Sequence, residues 1–200
     1  MRKLLTLLLL VPAIAFAEAA PDVVIRDLAK QVTSIIKQEQ QKKSDKKALA
    51  EAVDAKIMPH FDFIRMTKLA VGREWRTATP VQQKSLIDEF HTLLMNTYSS
   101  AIASYKNQPI EVLPLEGQPD GNQVMVHSRI IQQDKEPITV DYRMEKTANG
   151  WMIFDVSVEG ISLVTNYRST FQTEISNSGI DGLIRMLTDK NKKFDTKGDK

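Results

Sequence analysis

The 200-residue chain contains no cysteine, which excludes a disulfide scaffold and leaves its stability to a packed core. Glycine and proline are sparse at 8 each, so collagen-like and low-complexity readings fall away. Neither sign of charge dominates. The 27 basic residues face 25 acidic ones, and setting aside Arg2 and Lys3 leaves 25 of each. A near-neutral chain lacks the basic excess that nucleic-acid binders gather on one face. No internal repeat is present, and after the first seventeen residues no stretch approaches the roughly 20 apolar residues of a membrane-spanning helix.

Those first residues read as an address. Arg2-Lys3 precedes the apolar run Leu4 to Ala15, and Ala15-Phe16-Ala17 puts small residues at the two positions a signal peptidase reads. The pattern predicts a secretory signal peptide over residues 1–17, cut after about Ala17. Residues 18–188 are expected to form a single domain, with 189–200 as a polar, disordered tail.

From Asp22 the apolar positions Val23, Val24, Leu28, Val32, Ile35 and Ile36 recur at helical spacing and predict a helix to Gln41. A lysine-rich turn separates it from a second helix over about Lys47 to Ile57, ended by Pro59. A short apolar helix is expected from Phe61 to Gly72. Thr79-Pro80-Val81-Gln82 supplies a capping hydroxyl, a proline at the first helical position and a glutamine three residues after the cap. It opens a long helix reaching Tyr105.

After Pro109 the period changes from 3.6 to 2. Val124 to Ile130, Ile138 to Met144 and Trp151 to Val158 read as strands, with Asn149-Gly150 as a hairpin turn and Ile110 to Leu115 as an edge strand. Helical spacing returns after Gly160 and again after Gly179. The expected fold is α+β, with helices packed on one face of a small, strongly twisted antiparallel sheet of three to four strands.

Recognisable catalytic chemistry is missing. His60, His91 and His127 are far apart and have no companion ligands at metal-binding spacing. No nucleophile elbow, phosphate-cradling loop or dinucleotide fingerprint occurs. Asp155, with Tyr142 or Asp141, could form an acid/base pair of the kind a steroid-isomerase-type pocket enzyme uses. A strand aspartate bonded to backbone is the simpler reading. A lipoprotein carrier or chaperone is a further alternative. The apolar faces of several helices and one sheet either fill one another or enclose a cavity, and periodicity alone leaves both open.

One resemblance separates them. Phe61-Asp62-Phe63 with Met66-Thr67, Leu69-Ala70-Val71-Gly72 with Trp75-Arg76, and Thr79-Pro80 with Gln82-Gln83 lead into Glu89-Phe90 and Thr97-Tyr98. Val140-Asp141-Tyr142-Arg143, Trp151 with Asp155-Val156, and Val158-Glu159-Gly160-Ile161-Ser162-Leu163-Val164 with Tyr167-Arg168 follow, and Gly179-Ile180-Asp181-Gly182-Leu183 ends the series. In this order and spacing the chain resembles the MlaC family of periplasmic phospholipid-binding proteins, also called the toluene-tolerance auxiliary family. The resemblance implies a non-enzymatic carrier without a cofactor, whose cargo is phospholipid. It implies exchange across the periplasm between an outer-membrane lipoprotein–porin complex and an inner-membrane ABC transporter with an MCE-domain subunit. The direction it implies is retrograde, which maintains outer-membrane lipid asymmetry.

Such a carrier must match a bilayer. At about 0.8 kcal/mol per buried methylene, two tails of about fifteen carbons are worth roughly 24 kcal/mol. A dry apolar cavity is therefore expected, with the headgroup at a wet mouth. The converging apolar faces nominate Phe63, Met66, Val71, Trp75, Leu94, Tyr98, Ile102, Val126, Ile130, Val140, Tyr142, Ile161, Val164 and Phe171 as tail contacts. Ile161 is expected to be buried at the glycine corner. Arg73, Arg76 and Arg168 are the candidates for phosphate.

Overall fold

The computed structural model describes residues 19–105, 108–115, 117 and 121–198, the side chains of residues 46, 99 and 195–198 excepted. The predicted signal peptide lies outside the described residues. Helix α1 (Pro21–Gln41) starts with proline at its first turn and buries Ile25, Leu28, Ile35 and Ile36. Helix α2 (Lys46–Ile57) is capped by Asp45, whose side chain accepts the Ala48 N–H.

The third helix begins later than the sequence suggests. Phe61 forms a parallel bridge with Ile153, and the Asp62 N–H donates to the Ile153 carbonyl at 2.8 Å. With that backbone committed to the sheet edge, the Asp62 carboxylate caps α3 (Phe63–Val71) by accepting the Arg65 N–H. Gly72 ends α3 at φ 75, where a Cβ would also lie 3.2 Å from Gln172 Nε2. Helix α4 (Pro80–Ala103) opens on the expected capping box, with both the Thr79 and the Gln82 bonds formed. It stops short of Tyr105.

The sheet is an antiparallel meander in the order β1 (Ile110–Val112), β2 (Gln123–Ile130), β3 (Ile138–Thr147), β4 (Gly150–Val158) and β5 (Ile161–Ser162). The fifth strand exceeds the expected number. Glu159 (φ 51) and Gly160 (φ 76) make a tight turn that pairs Ile161 with Val158. The proline-flanked β1 takes the predicted edge position.

One irregularity decides how the sheet packs. Arg143 pairs with Asp155 while Met144 pairs with Ile153, so Phe154 is an extra residue in β4. Alternation sets Phe154 on the face opposite Met144 and Ile153, and the bulge keeps Asp155 on that same side and returns Val156 to the Tyr142 face. Two apolar clusters result. In the first, Phe154 joins Met66, Ala70, Leu86, Phe90, Phe171, Leu183 and Leu187, and Phe90 meets Tyr167 and Phe171 edge-on with ring centroids 5.2 and 5.1 Å apart. In the second, Val126, Met144, Trp151 and Ile153 pack against α1 and α2. Helices therefore reach the sheet from both faces. This corrects the one-sided packing expected from sequence, where the bulge is invisible.

Helix α5 (Leu163–Gly198) is broken at Gly179 (φ 69, ψ −175), where two helices are predicted to meet. Its second half runs past Asp189, contrary to the expected disordered tail. Asn191 is buried and donates to the Glu89 carbonyl and carboxylate, and Phe194 packs on the first cluster. These contacts extend the folded domain beyond residue 188.

Candidate functional site

The tail candidates do not share one wall. Met66, Val71, Trp75, Leu94, Val164 and Phe171 are buried in the first cluster, with Phe63 and Tyr98 half-buried against it. Val126 is buried in the second cluster, where Ile102 and Tyr142 are half-buried. Val140 and Ile130 alternate in register with Tyr142 and Val126 and so belong to the same sheet face. Ile161 is 63% exposed, which corrects its expected burial. Ile161 lies in the two-residue edge strand β5, paired with Val158 and so on the sheet face of Val140, at a margin that no helix covers enough to bury it.

The clusters differ in how completely they close. Among the described residues the first holds 14 buried apolar side chains and 10 half-buried ones. The second holds 11 buried and 14 half-buried. Its rim is formed by Val24 and Val32 of α1, Met95 and Ile102 of α4, and Tyr105, Val112, Leu115, Val124 and Tyr142. Apolar groups left half wet are the ones a further apolar ligand would stabilise by covering them. Most of this rim escaped the sequence reading, which nominated no residue of α1. The available signal was the α1 stripe itself, where Val24, Leu28 and Val32 follow at helical spacing.

Two depressions are open at the surface, and the smaller touches the rim through Val124. One of about 620 Å³ runs along α5 between Ser178 and Lys193, and one of about 230 Å³ is lined by Gln123, Val124, Met125, Arg143 and Phe154. Neither gathers the tail candidates. The three arginines lie at a corner of the first cluster. Arg73 Nε is bonded to Glu74 at 3.0 Å, Arg76 is exposed, and Arg168 lies over Gly72.

The acid/base pair considered for an enzyme is not assembled. Tyr142 pairs with Val156, Asp155 pairs with Arg143, and the two side chains occupy opposite faces of the sheet. Burial pushes the Tyr142 hydroxyl above its ordinary range and keeps it neutral. Tyr98 is raised by burial in the same way. Asp155 instead accepts the Ser162 hydroxyl and the Val164 N–H. Asp141 contacts His127 at 2.7 Å, and His91 lies 2.6 Å from Asp54 with the Phe63 ring edge-on at 4.5 Å. Among the described residues no group of three or more histidines, aspartates or glutamates is placed to hold a metal, and no helix is long and apolar enough to cross a membrane.

Known proteins are similar to this chain. A solved structure of a phospholipid-binding protein from Ralstonia solanacearum, in complex with a phospholipid, superposes with a TM-score of 0.81 at 33% identity, over 88% of this chain and 99% of that one. The toluene tolerance protein Ttg2D of Pseudomonas putida is 27% identical over 182 residues, 90% of this chain and 84% of its own. The intermembrane phospholipid transport system binding protein MlaC of Haemophilus influenzae is 25% identical over 182 residues, 89% of this chain and 85% of its own. The family model described as MlaC protein matches residues 26–189. With the match spanning α1 to the last helix, the chain belongs to the MlaC family.

Proposed function

We propose that the protein is a periplasmic phospholipid carrier that holds acyl tails among apolar side chains and moves lipid between the outer and inner membranes without catalysing a reaction. The observation that carries this reading is the Ralstonia solanacearum protein, which holds a phospholipid on a fold shared across 88% of this chain. On this reading the tails enter the less closed second cluster. Ile102, Val126 and Tyr142 contact them together with the rim residues Val24, Val32, Met95 and Val124.

The partners in this reading are an outer-membrane lipoprotein–porin complex and an inner-membrane ABC transporter with an MCE-domain subunit. The direction is retrograde, in support of outer-membrane lipid asymmetry. Arg73, Arg76 and Arg168, the phosphate candidates, sit at a corner of the first cluster, so they would meet a headgroup only if tails entered beside Trp75 and not at the rim of the second. A triple alanine variant that keeps its phospholipid removes them from the site.

The test is transfer of a fluorescent phospholipid from donor to acceptor vesicles. The protein is expected to accelerate transfer, and Val32→Trp with Met95→Trp, which fills the rim, is expected to slow it while leaving the fold intact. Transfer no faster than without protein would refute the carrier reading.

A further inference from the structure

The corner between α1 and α2 concentrates positive charge that tail binding does not use. Lys37, Lys42, Lys43, Lys46 and Lys47 fall within eleven residues that contain two acids, Glu39 and Asp45. Both acids are engaged locally. Glu39 accepts Lys42 Nζ at 2.7 Å and the Ser44 hydroxyl at 2.6 Å, and Asp45 accepts the Ala48 N–H at 2.8 Å. The bond from Lys42, then that from Ser44, hold the Glu39 carboxyl below its ordinary range, and Lys56 adds to the local positive field from α2. Lys37, Lys43 and Lys47 are exposed and make no ion pair among the described residues.

Two features of this corner oppose local helix energetics. Lys43 holds φ at 55, a left-handed position after the helix end that glycine or asparagine occupies with less strain. Lys47 follows the capping Asp45 in a first turn that itself carries no acid, so a cation stands near the positive end of the helix dipole. Lys42 is explained by the negative end of α1. The lysines beyond it are not.

The composition of the corner selects the kind of partner. From Lys37 to Lys47 there is no arginine and no aromatic residue, and none of the exposed large apolar side chains lies there. Protein interfaces favour arginine and aromatics and are depleted in lysine. Hydrated ammonium groups on flexible stems suit a diffuse anionic surface instead. We propose that the α1–α2 corner adsorbs reversibly to membrane surfaces rich in anionic phospholipid headgroups, by charge and without insertion. The corner adjoins the rim through the Gln40 bond to the Tyr105 carbonyl, but none of its lysines is a tail contact, so vesicle binding and lipid transfer test the docking assignment and the carrier reading separately.

The test is co-sedimentation of residues 18–200, which include every described residue, with phosphatidylcholine vesicles and with vesicles containing phosphatidylglycerol. Binding is expected only to the anionic vesicles. It should weaken strongly between about 0.02 M and 0.15 M salt, as the Debye length shrinks to about 8 Å. With about fivefold affinity per lysine near the surface, Lys37→Gln, Lys43→Gln and Lys47→Gln together should weaken binding on the order of a hundredfold. The matching Lys→Arg triple should retain it. Absence of binding to anionic vesicles at low salt, equal binding to neutral vesicles, or an unaffected glutamine triple would overturn the proposal. Capture by immobilised polyglutamate under conditions where anionic vesicles are ignored would overturn it in favour of an acidic protein partner.

Discussion

Asp155 in β4 holds the start of the last helix: its Oδ1 accepts the Val164 N–H at 3.1 Å and its Oδ2 the Ser162 hydroxyl at 2.6 Å, nine and seven residues further along the chain. Ser162 in turn accepts the Thr165 N–H at 3.0 Å. Arg143 approaches the same carboxylate at 3.9 Å. A buried carboxylate with these partners serves as a helix cap and a strand-to-helix tie. Asp155→Asn is expected to cost about 1–3 kcal/mol in urea denaturation, with lipid transfer by the folded fraction unchanged. Undiminished stability together with lost activity would instead point to a chemical role for the carboxylate.

The Phe154 bulge makes a second prediction. The ring lies wholly buried in the first cluster, with the Arg65 guanidinium carbon 3.9 Å and that of Arg143 4.9 Å from its centroid. Burial first of all lowers the Arg65 pKa, and Arg143 adds to the effect. Arg65 also pairs with Glu145. Phe154→Ala should cost about 3–5 kcal/mol, the range for deleting a buried aromatic, and should do so at any salt concentration. A loss below about 1 kcal/mol would mean the bulge is not fixed by this ring.

Ile161 tests the turn. Being 63% exposed, Ile161→Glu is expected to change stability by no more than about 0.5 kcal/mol, readable as an unchanged melting temperature. Gly160→Ala, which forces a side chain onto φ 76, should be clearly destabilising. The reverse ranking would show that the corner packs differently.

Glu74 predicts a pH dependence. Its carboxylate accepts Gln172 Nε2 at 3.0 Å and Arg73 Nε at 3.0 Å, and the bond from Gln172 is the first cause of a pKa below the ordinary 4.5. A carboxyl depressed on folding adds stability above its unfolded pKa and loses it as pH falls through the folded value. The melting temperature should therefore drop on acidification below about pH 4.5, and the drop should be smaller in Glu74→Gln. Superimposable pH profiles for the two proteins would contradict this.

Much of the fold is legible from local grammar. The capping box at Thr79 marks the start of α4 within a residue, because the cap that satisfies orphan N–H groups there is made of side chains written in the sequence. Glycine punctuation marks the Gly160 turn and the Gly179 break because a residue without a Cβ takes their positive φ at little cost. What local pattern does not carry is which element meets which. Period tells that Met66 and Val126 face inward, yet they lie in different clusters because Phe154 and the Phe61 bridge divide the interior. The polar run after Asp189 reads as a tail, but Glu89, about a hundred residues earlier in sequence, supplies the partner that buries Asn191. The rim at Val32, Met95 and Val124 stayed unread because three separate elements build it.

The most direct measurement of the central claim is native mass spectrometry of the protein purified without detergent, followed by solvent extraction of what it carries. The account predicts a stoichiometric added mass that matches diacyl phospholipid and is diminished in the Val32→Trp, Met95→Trp variant. A clean ligand-free mass, with a melt insensitive to added phospholipid, would show that the two apolar clusters only fill one another, and would contradict it.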